Sequence, residues 1–310
     1  MKIINALRSG LLRSAKSWKA ALIITLALFF IISFFTIPFR GVLKSSLGSS
    51  VVTGQLAKGI NFDILSDLSE VLKNYIRGLS SGLFLIIIAG MLFFTFFSGG
   101  LFSHLKEGQG RFSVSGFFRT SAAYFWPFLG ITLIVSVILG FVISILIGVV
   151  AGISLAGETV SFQASGILRV ALILFLGIVL SVFFLVADYS RAHISSVTGT
   201  SVFKSVGYGF KMTFGNFVSS VSMMFILMMI QVLFMWFMTK LIFVWKPTAG
   251  LAVFLMLITT QVLFFIRIFL RSWRYASVIS MMESLGKDNY TDQAETGKYI
   301  YTFENNPLAE

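Results

Sequence analysis

The sequence predicts an all-α, polytopic membrane bundle with six transmembrane helices, and two observations support this fold class. First, 57% of the 310 residues are hydrophobic and only 12% are charged, whereas soluble domains carry roughly 25% charged residues. Second, the apolar residues form six blocks long enough for a helix to cross the ~30 Å hydrocarbon core of a bilayer. The six blocks are Ala20–Phe39, Gly82–Phe102, Tyr124–Ala151, Gly166–Ala187, Phe217–Met238 and Ala249–Phe269.

Helices are the expected structure of these blocks, because backbone groups in lipid must find hydrogen-bond partners within their own segment. A membrane β-barrel would instead show ~10-residue segments of alternating polarity, and the sequence has none. The first block is longer than the ~7–15-residue core of a signal peptide, and no A-x-A-like cleavage site follows it. We therefore expect it to remain as a membrane anchor.

The distribution of Lys and Arg predicts that both termini lie in the cytoplasm. With the N-terminus inside, the inside segments carry 16 of the 24 Lys and Arg residues, which is the bias of cytoplasmic loops. We therefore predict a bacterial inner-membrane location. The net charge of +12 comes from residues that flank apolar blocks and contact lipid headgroups. Membrane lipids are thus expected partners, and nucleic acid is not.

The chain divides into a six-helix domain over residues 1–275 and an acidic cytoplasmic tail over residues 276–310. In the first outer loop, apolar residues recur at three- and four-residue steps over residues 61–79, which predicts an amphipathic helix. This helix either packs as part of the loop or covers a cavity as a lid. In the tail, the aromatic stretch Lys298–Phe303 either adds as a strand to a partner protein or docks on the chain's own cytoplasmic face. The alternative is a disordered, solvated tail.

A weak internal repeat precedes the outward-going helices. Three basic, aromatic, amphipathic stretches lead into the first, third and fifth blocks, and they are Leu11–Leu22, Gly116–Leu129 and Gly207–Val218. One interpretation is that the chain contains three copies of a unit made of an interfacial helix and a transmembrane hairpin. The other is that every cytoplasmic membrane boundary selects the same residue types, because Trp and Tyr favour the interface and Lys and Arg extend toward it.

The third block contains a stripe of small residues at four-residue spacing. Its members are Ser136, Gly140, Ser144, Gly148 and Gly152. Small residues let a second helix approach closely, so the stripe predicts tight packing. Gly177 and Ser181 of the fourth block have the same spacing and are the expected contact. The alternative is that the stripe lines a pore.

The most polar residues of the blocks are candidate functional residues. Asp188 is followed at i+3 by Arg191, which favours an ion pair on one helix face, extended by Arg267 or Arg271. The alternative is a proton or ion relay, since acids at membrane depth are often functional. Deep in the last two blocks, Gln231 and Gln261 are expected to form interhelical hydrogen bonds or, alternatively, to contact a substrate.

No catalytic, metal or cofactor site is expected. The sequence lacks Cys and the zinc-protease and P-loop motifs. Its two histidines, His104 and His193, fall in predicted loops. We therefore expect a non-enzymatic membrane bundle that binds lipid or partner proteins. The alternative is a transporter or channel component that moves a small solute.

Several short motifs resemble those of a group of functionally uncharacterised bacterial six-helix inner-membrane proteins. That group is distantly similar to the membrane domain of glycerophosphodiester phosphodiesterases. The motifs are Ala6–Gly10, Ser17–Lys19, Ser98–Gly100, Phe117–Phe118, Tyr124–Trp126, Asp188–Arg191, Gln261, Arg267 and Arg271. The resemblance covers about residues 1–275. It implies the six-helix architecture and no particular activity.

Overall fold

The computed structural model describes residues 2–47, 70–107, 112–156, 162–197, 199–245 and 250–295. Within these ranges the chain forms eight α-helices and no strand, which confirms the predicted all-α class. The helices are α1 Lys2–Lys16, α2 Trp18–Leu47, α3 Glu70–Glu107, α4 Val114–Ala156, α5 Phe162–Ile194, α6 Val202–Gly215, α7 Phe217–Val244 and α8 Gly250–Glu295.

The lengths and compositions of the helices agree with a polytopic membrane bundle. Five described helices, α3, α4, α5, α7 and α8, are long and apolar enough to cross a membrane. The described part of α2 passes the same test together with α1, from which it is bent by 65°. Counted as one span, this bent pair raises the number of candidate spans to six.

Two predicted segment boundaries differ from the helices. Residues 70–79 of the predicted outer amphipathic helix form the start of α3, while residues 61–69 lie outside the described residues. The boundary predicted at residue 275 falls inside α8, which continues to Glu295. Ala276, Ile279, Met281 and Leu285 are buried, so this part of the predicted tail belongs to the helical core. The stretch Lys298–Phe303 lies outside the described residues.

The three interfacial stretches occupy equivalent positions in the fold. α1 packs on the second half of α8, the start of α4 packs on the end of α3, and α6 packs on the end of α5. These are the three most extensive contacts between helices. The α1–α8 contact brings the first and last helices together, so the arrangement closes on itself.

Each of these three contacts contains a glycine that approaches a serine of the other helix. The pairs are Gly10 with Ser277, Gly100 with Ser121, and Gly209 with Ser190. A Cβ atom on Gly10 would lie 2.6 Å from the backbone nitrogen of Ser277, which is far inside van der Waals contact. The absence of a side chain at these glycines therefore sets how closely the helices approach.

Polar contacts also hold α1 against α8. The two terminal nitrogens of Arg13 donate to the two carboxylate oxygens of Glu283 at 2.9 and 2.6 Å. The indole nitrogen of Trp273 donates to the carbonyl of Leu7 at 2.9 Å. A bidentate arginine–carboxylate pair fixes orientation as well as distance, so α1 is held in one register along α8.

The small-residue stripe of α4 does not form the predicted contact. Its four described members, Ser136, Gly140, Ser144 and Gly148, are all exposed. Among the described residues, no atom of another helix lies within 4 Å of a Cβ placed on Gly140 or Gly148. Gly152 lies among residues whose surroundings the structure does not describe. The prediction of tight packing through this stripe is therefore wrong for its described part.

The residues expected to meet that stripe contact α7 instead. A Cβ on Gly177 would lie 3.5 Å from the ring of Phe225, and the Ser181 hydroxyl is 3.3 Å from the sulfur of Met228. The buried face of α4 begins nearer its start and includes Phe128, Ile131 and Val135. Small residues permit close packing without specifying which helix provides it.

We predict opposite stability effects for alanine at two glycines. Alanine in an open helix position is more stable than glycine by roughly 0.5–1 kcal/mol, so Gly140→Ala should leave the melting temperature unchanged or raise it. Gly10→Ala should lower it, because overpacking costs about 1–3 kcal/mol. Thermal unfolding of both variants in the same detergent tests this. Equal shifts would contradict the close α1–α8 approach.

Candidate functional site

A fully buried carboxylate lies between two arginines at the centre of the bundle. Asp188 of α5 has no exposed surface. Its Oδ1 atom is 3.0 Å from Nη1 of Arg191, one turn further along the same helix, and its Oδ2 atom is 3.1 Å from Nε of Arg274 in α8. Both arginines are nearly buried. The second arginine is thus Arg274, which corrects the expectation that Arg267 or Arg271 would extend the pair.

The two ion pairs differ in geometry. Nη1 of Arg191 donates a hydrogen bond to Oδ1 of Asp188, whereas Oδ2 and Nε of Arg274 are close without hydrogen-bond alignment. Arg191 also donates from Nη2 to the hydroxyl of Thr132 in α4 at 2.9 Å. The cluster therefore connects α4, α5 and α8.

This arrangement explains how an acid is accommodated in an apolar helix. Burying an isolated carboxylate costs several kcal/mol, and a cation with good geometry offsets much of that cost. Asp188 has two adjacent cations, one from its own helix and one from α8. Among the described residues it accepts a hydrogen bond from Arg191 and has Arg274 in ion-pair contact, and this arrangement favours a structural role for it.

A row of arginines follows one face of α8 away from Asp188. Arg267, Arg271 and Arg274 are separated by four and three residues, so they share one helix face over a rise of ~10 Å. The guanidinium of Arg271 lies 4.1 Å from the ring centre of Phe94, and its Nε donates to the hydroxyl of Tyr275 at 2.8 Å. These contacts fix Arg271 between α3 and α8.

This arginine row lines a pocket of about 480 Å³ between α7 and α8. Phe94 of α3, Phe184 of α5 and Gln231 of α7 also line this pocket. The amide nitrogen of Gln231 is buried and has no hydrogen-bond partner in the described residues. The remaining lining is apolar and includes Met228, Val232, Phe234, Met235, Ile268 and Leu270. Val232, Met235 and Arg267 are exposed, so the pocket opens on the outer surface of the bundle.

The structure separates the predicted polar residues into two groups. Gln231 and Arg267 line the pocket, and Asp188 reaches it through Arg274. Gln261 is half-buried but does not line the pocket, and Arg191 contacts Asp188 and Thr132 instead. The predicted set omitted Arg274. The spacing of the three arginines on one helix face would have revealed it.

The charges at the pocket favour an anionic ligand. Its ionisable lining side chains are the three arginines, and Arg274 shares its charge with Asp188. Within the described part of the chain, neither Arg267 nor Arg271 pairs with a carboxylate. The geometry therefore suits binding of a negative group.

Comparison of the chain with protein-family models, curated proteins and solved structures gave no match. The resemblance to bacterial six-helix inner-membrane proteins therefore stays a prediction.

We predict that Asp188→Asn lowers thermal stability far more than Glu283→Gln. Removing the buried charge leaves Arg191 and Arg274 without a carboxylate, which costs about 3–5 kcal/mol. The Arg13–Glu283 pair is partly exposed, with 39% of the Glu283 side chain accessible, so losing its charge should cost about 1 kcal/mol or less. Melting temperatures in detergent measure both effects, and an unchanged melting temperature for Asp188→Asn would contradict the structural role of the cluster.

Proposed function

We propose that this integral membrane protein is a non-catalytic bundle that binds anionic lipid in the pocket between α7 and α8. The observation that carries the proposal is the row Arg267, Arg271 and Arg274, whose charges exceed that of the one acid beside them. An uncompensated cation in a largely apolar pocket is costly unless an anion or water reaches it. A lipid headgroup supplies such an anion from the surrounding bilayer.

The position of the pocket along α8 supports a lipid ligand. The arginines follow the most apolar part of α8, whose side chains from Leu251 to Val262 include many exposed residues. Arginines at the end of an apolar segment lie at headgroup depth. By the positive-inside bias, we place this end of the bundle at the cytoplasmic side of a bacterial inner membrane, with both termini in the cytoplasm.

A solute transporter is the second candidate, and Gln231 is the observation that favours it. Its buried, unpartnered amide is a donor for a polar solute within the pocket. Transport requires that the pocket open alternately to both sides of the membrane, whereas lipid binding requires only its opening to the bilayer. Uptake of a small anion by proteoliposomes containing the protein, above protein-free vesicles, would favour transport.

We predict that the double variant Arg267→Gln/Arg271→Gln loses copurifying anionic lipid. Each charge-assisted contact contributes about 1.5–3 kcal/mol, so retention should fall at least tenfold. Mass spectrometry of lipids extracted after purification in mild detergent measures the loss. The same preparation shows whether a partner protein accompanies the chain.

The matched control is Lys204→Gln/Lys211→Gln, which removes two exposed cations from α6 and leaves the pocket intact. It should retain the wild-type lipid content. Equal anionic lipid content in all three preparations would refute a headgroup site at the arginine row.

A further inference from the structure

We infer that the pocket between α7 and α8 selects a phosphomonoester headgroup, which carries two negative charges, over phosphodiester and zwitterionic headgroups. This inference rests on the proposed lipid-binding function and names the ligand of the same site.

The charge balance favours a dianion. Asp188 already neutralises part of the charge of Arg191 and Arg274, with which it is in contact. Arg267 and Arg271 line the pocket and pair with no carboxylate in the described residues. A phosphomonoester near neutral pH supplies about two charges, whereas a phosphodiester supplies one and would leave one of these cations uncompensated.

The donors of the pocket match the acceptors of the same group. Side chains four residues apart on a helix lie about 6 Å apart, so Arg267 and Arg271 can both contact one phosphate. Guanidinium groups bind phosphate oxygens through paired hydrogen bonds. The unpartnered amide nitrogen of Gln231 is a third donor group. A phosphomonoester offers three terminal oxygens and a phosphodiester offers two.

The apolar lining indicates that the phosphate belongs to a lipid. Val232, Met235 and Phe184 are exposed apolar residues that line the pocket. A volume of about 480 Å³ holds a small headgroup and the first carbons of its chains, while the remaining chain stays in the bilayer. A soluble phosphate ester could make the same contacts with the arginines as a lipid headgroup, but it would leave the apolar lining of the pocket uncovered.

The identity of the ionisable groups around the pocket allows the pH dependence of its ligand affinity to be interpreted. α8 contributes Arg267, Arg271 and Arg274, with Tyr275 bonded to Arg271, and α5 contributes Asp188 behind Arg274. The pocket-lining residues of α3 and α7 are not ionisable. Arginine stays charged throughout the accessible pH range. A change in affinity near pH 6 therefore reports the second ionisation of the phosphomonoester itself.

The test uses the full chain in detergent, titrated with mixed micelles at about pH 5 and about pH 8. The micelles contain dioleoyl phosphatidate, dioleoyl phosphatidylglycerol or dioleoyl phosphatidylcholine, and binding is read by native mass spectrometry and thermal shift. At the higher pH, phosphatidate should bind roughly tenfold more tightly than phosphatidylglycerol, as one added charge-assisted contact provides. At the lower pH, this advantage should largely disappear.

Arg267→Gln is the informative variant, because Arg267 is exposed and its replacement should leave the fold intact. It should bind phosphatidate and phosphatidylglycerol equally, whereas the control Lys204→Gln should keep the wild-type preference. An unchanged preference in a folded Arg267→Gln protein would overturn the assignment.

Two further outcomes separate this inference from the proposed function. Equal binding of phosphatidate and phosphatidylglycerol at both pH values, with both above phosphatidylcholine, would overturn phosphomonoester selection and leave anionic lipid binding in place. No binding above phosphatidylcholine would overturn both. A parallel titration with inorganic phosphate shows whether the bound phosphate group belongs to a lipid or to a soluble ester. If phosphate displaces phosphatidate at equal concentration, the ligand is a soluble ester and the lipid assignment fails.

Discussion

The buried carboxylate of Asp188 is the interaction on which the centre of the structure depends. It joins α5 to α8 through Arg274, and Arg191 extends the connection to Thr132 of α4. Each arginine is nearly buried, so neither can recover its hydration if the acid is lost. The cluster therefore fixes α8 against its neighbours at the depth where the arginine row begins.

Around this centre, three interfacial stretches hold the bundle together by the same kind of contact. In each, an interfacial stretch packs closely on the end of a long helix, with a glycine at the point of nearest approach. The contact between α1 and α8 involves the first and last of the described helices and adds the bidentate Arg13–Glu283 pair. Because α1 packs on the second half of α8, it restrains the helix that carries the arginines.

The pocket is a consequence of this arrangement. Asp188 engages Arg274 at one end of the row, while Arg267 and Arg271 continue along the same face into a space between α7 and α8. Phe94 stacks on Arg271 and Tyr275 accepts its hydrogen bond, so its charge is positioned without being neutralised. A basic, partly apolar pocket that opens on the bundle surface suits an amphiphile, whose two parts require these two environments.

The sequence by itself determined the all-α membrane class, because the backbone groups of a long apolar block in lipid find all their hydrogen-bond partners within the block only when it is a helix. It also placed Asp188 beside Arg191, since i and i+3 positions adjoin on any helix. Only the tertiary structure decided that Arg274 completes the cluster and that Gln231, rather than Gln261, faces the arginine row. It also placed the four described members of the small-residue stripe of α4 on an exposed face and close glycine contacts at Gly10, Gly100 and Gly209. The physical reason is that helix periodicity fixes which residues share a face, whereas the neighbour of that face depends on how all the helices pack together.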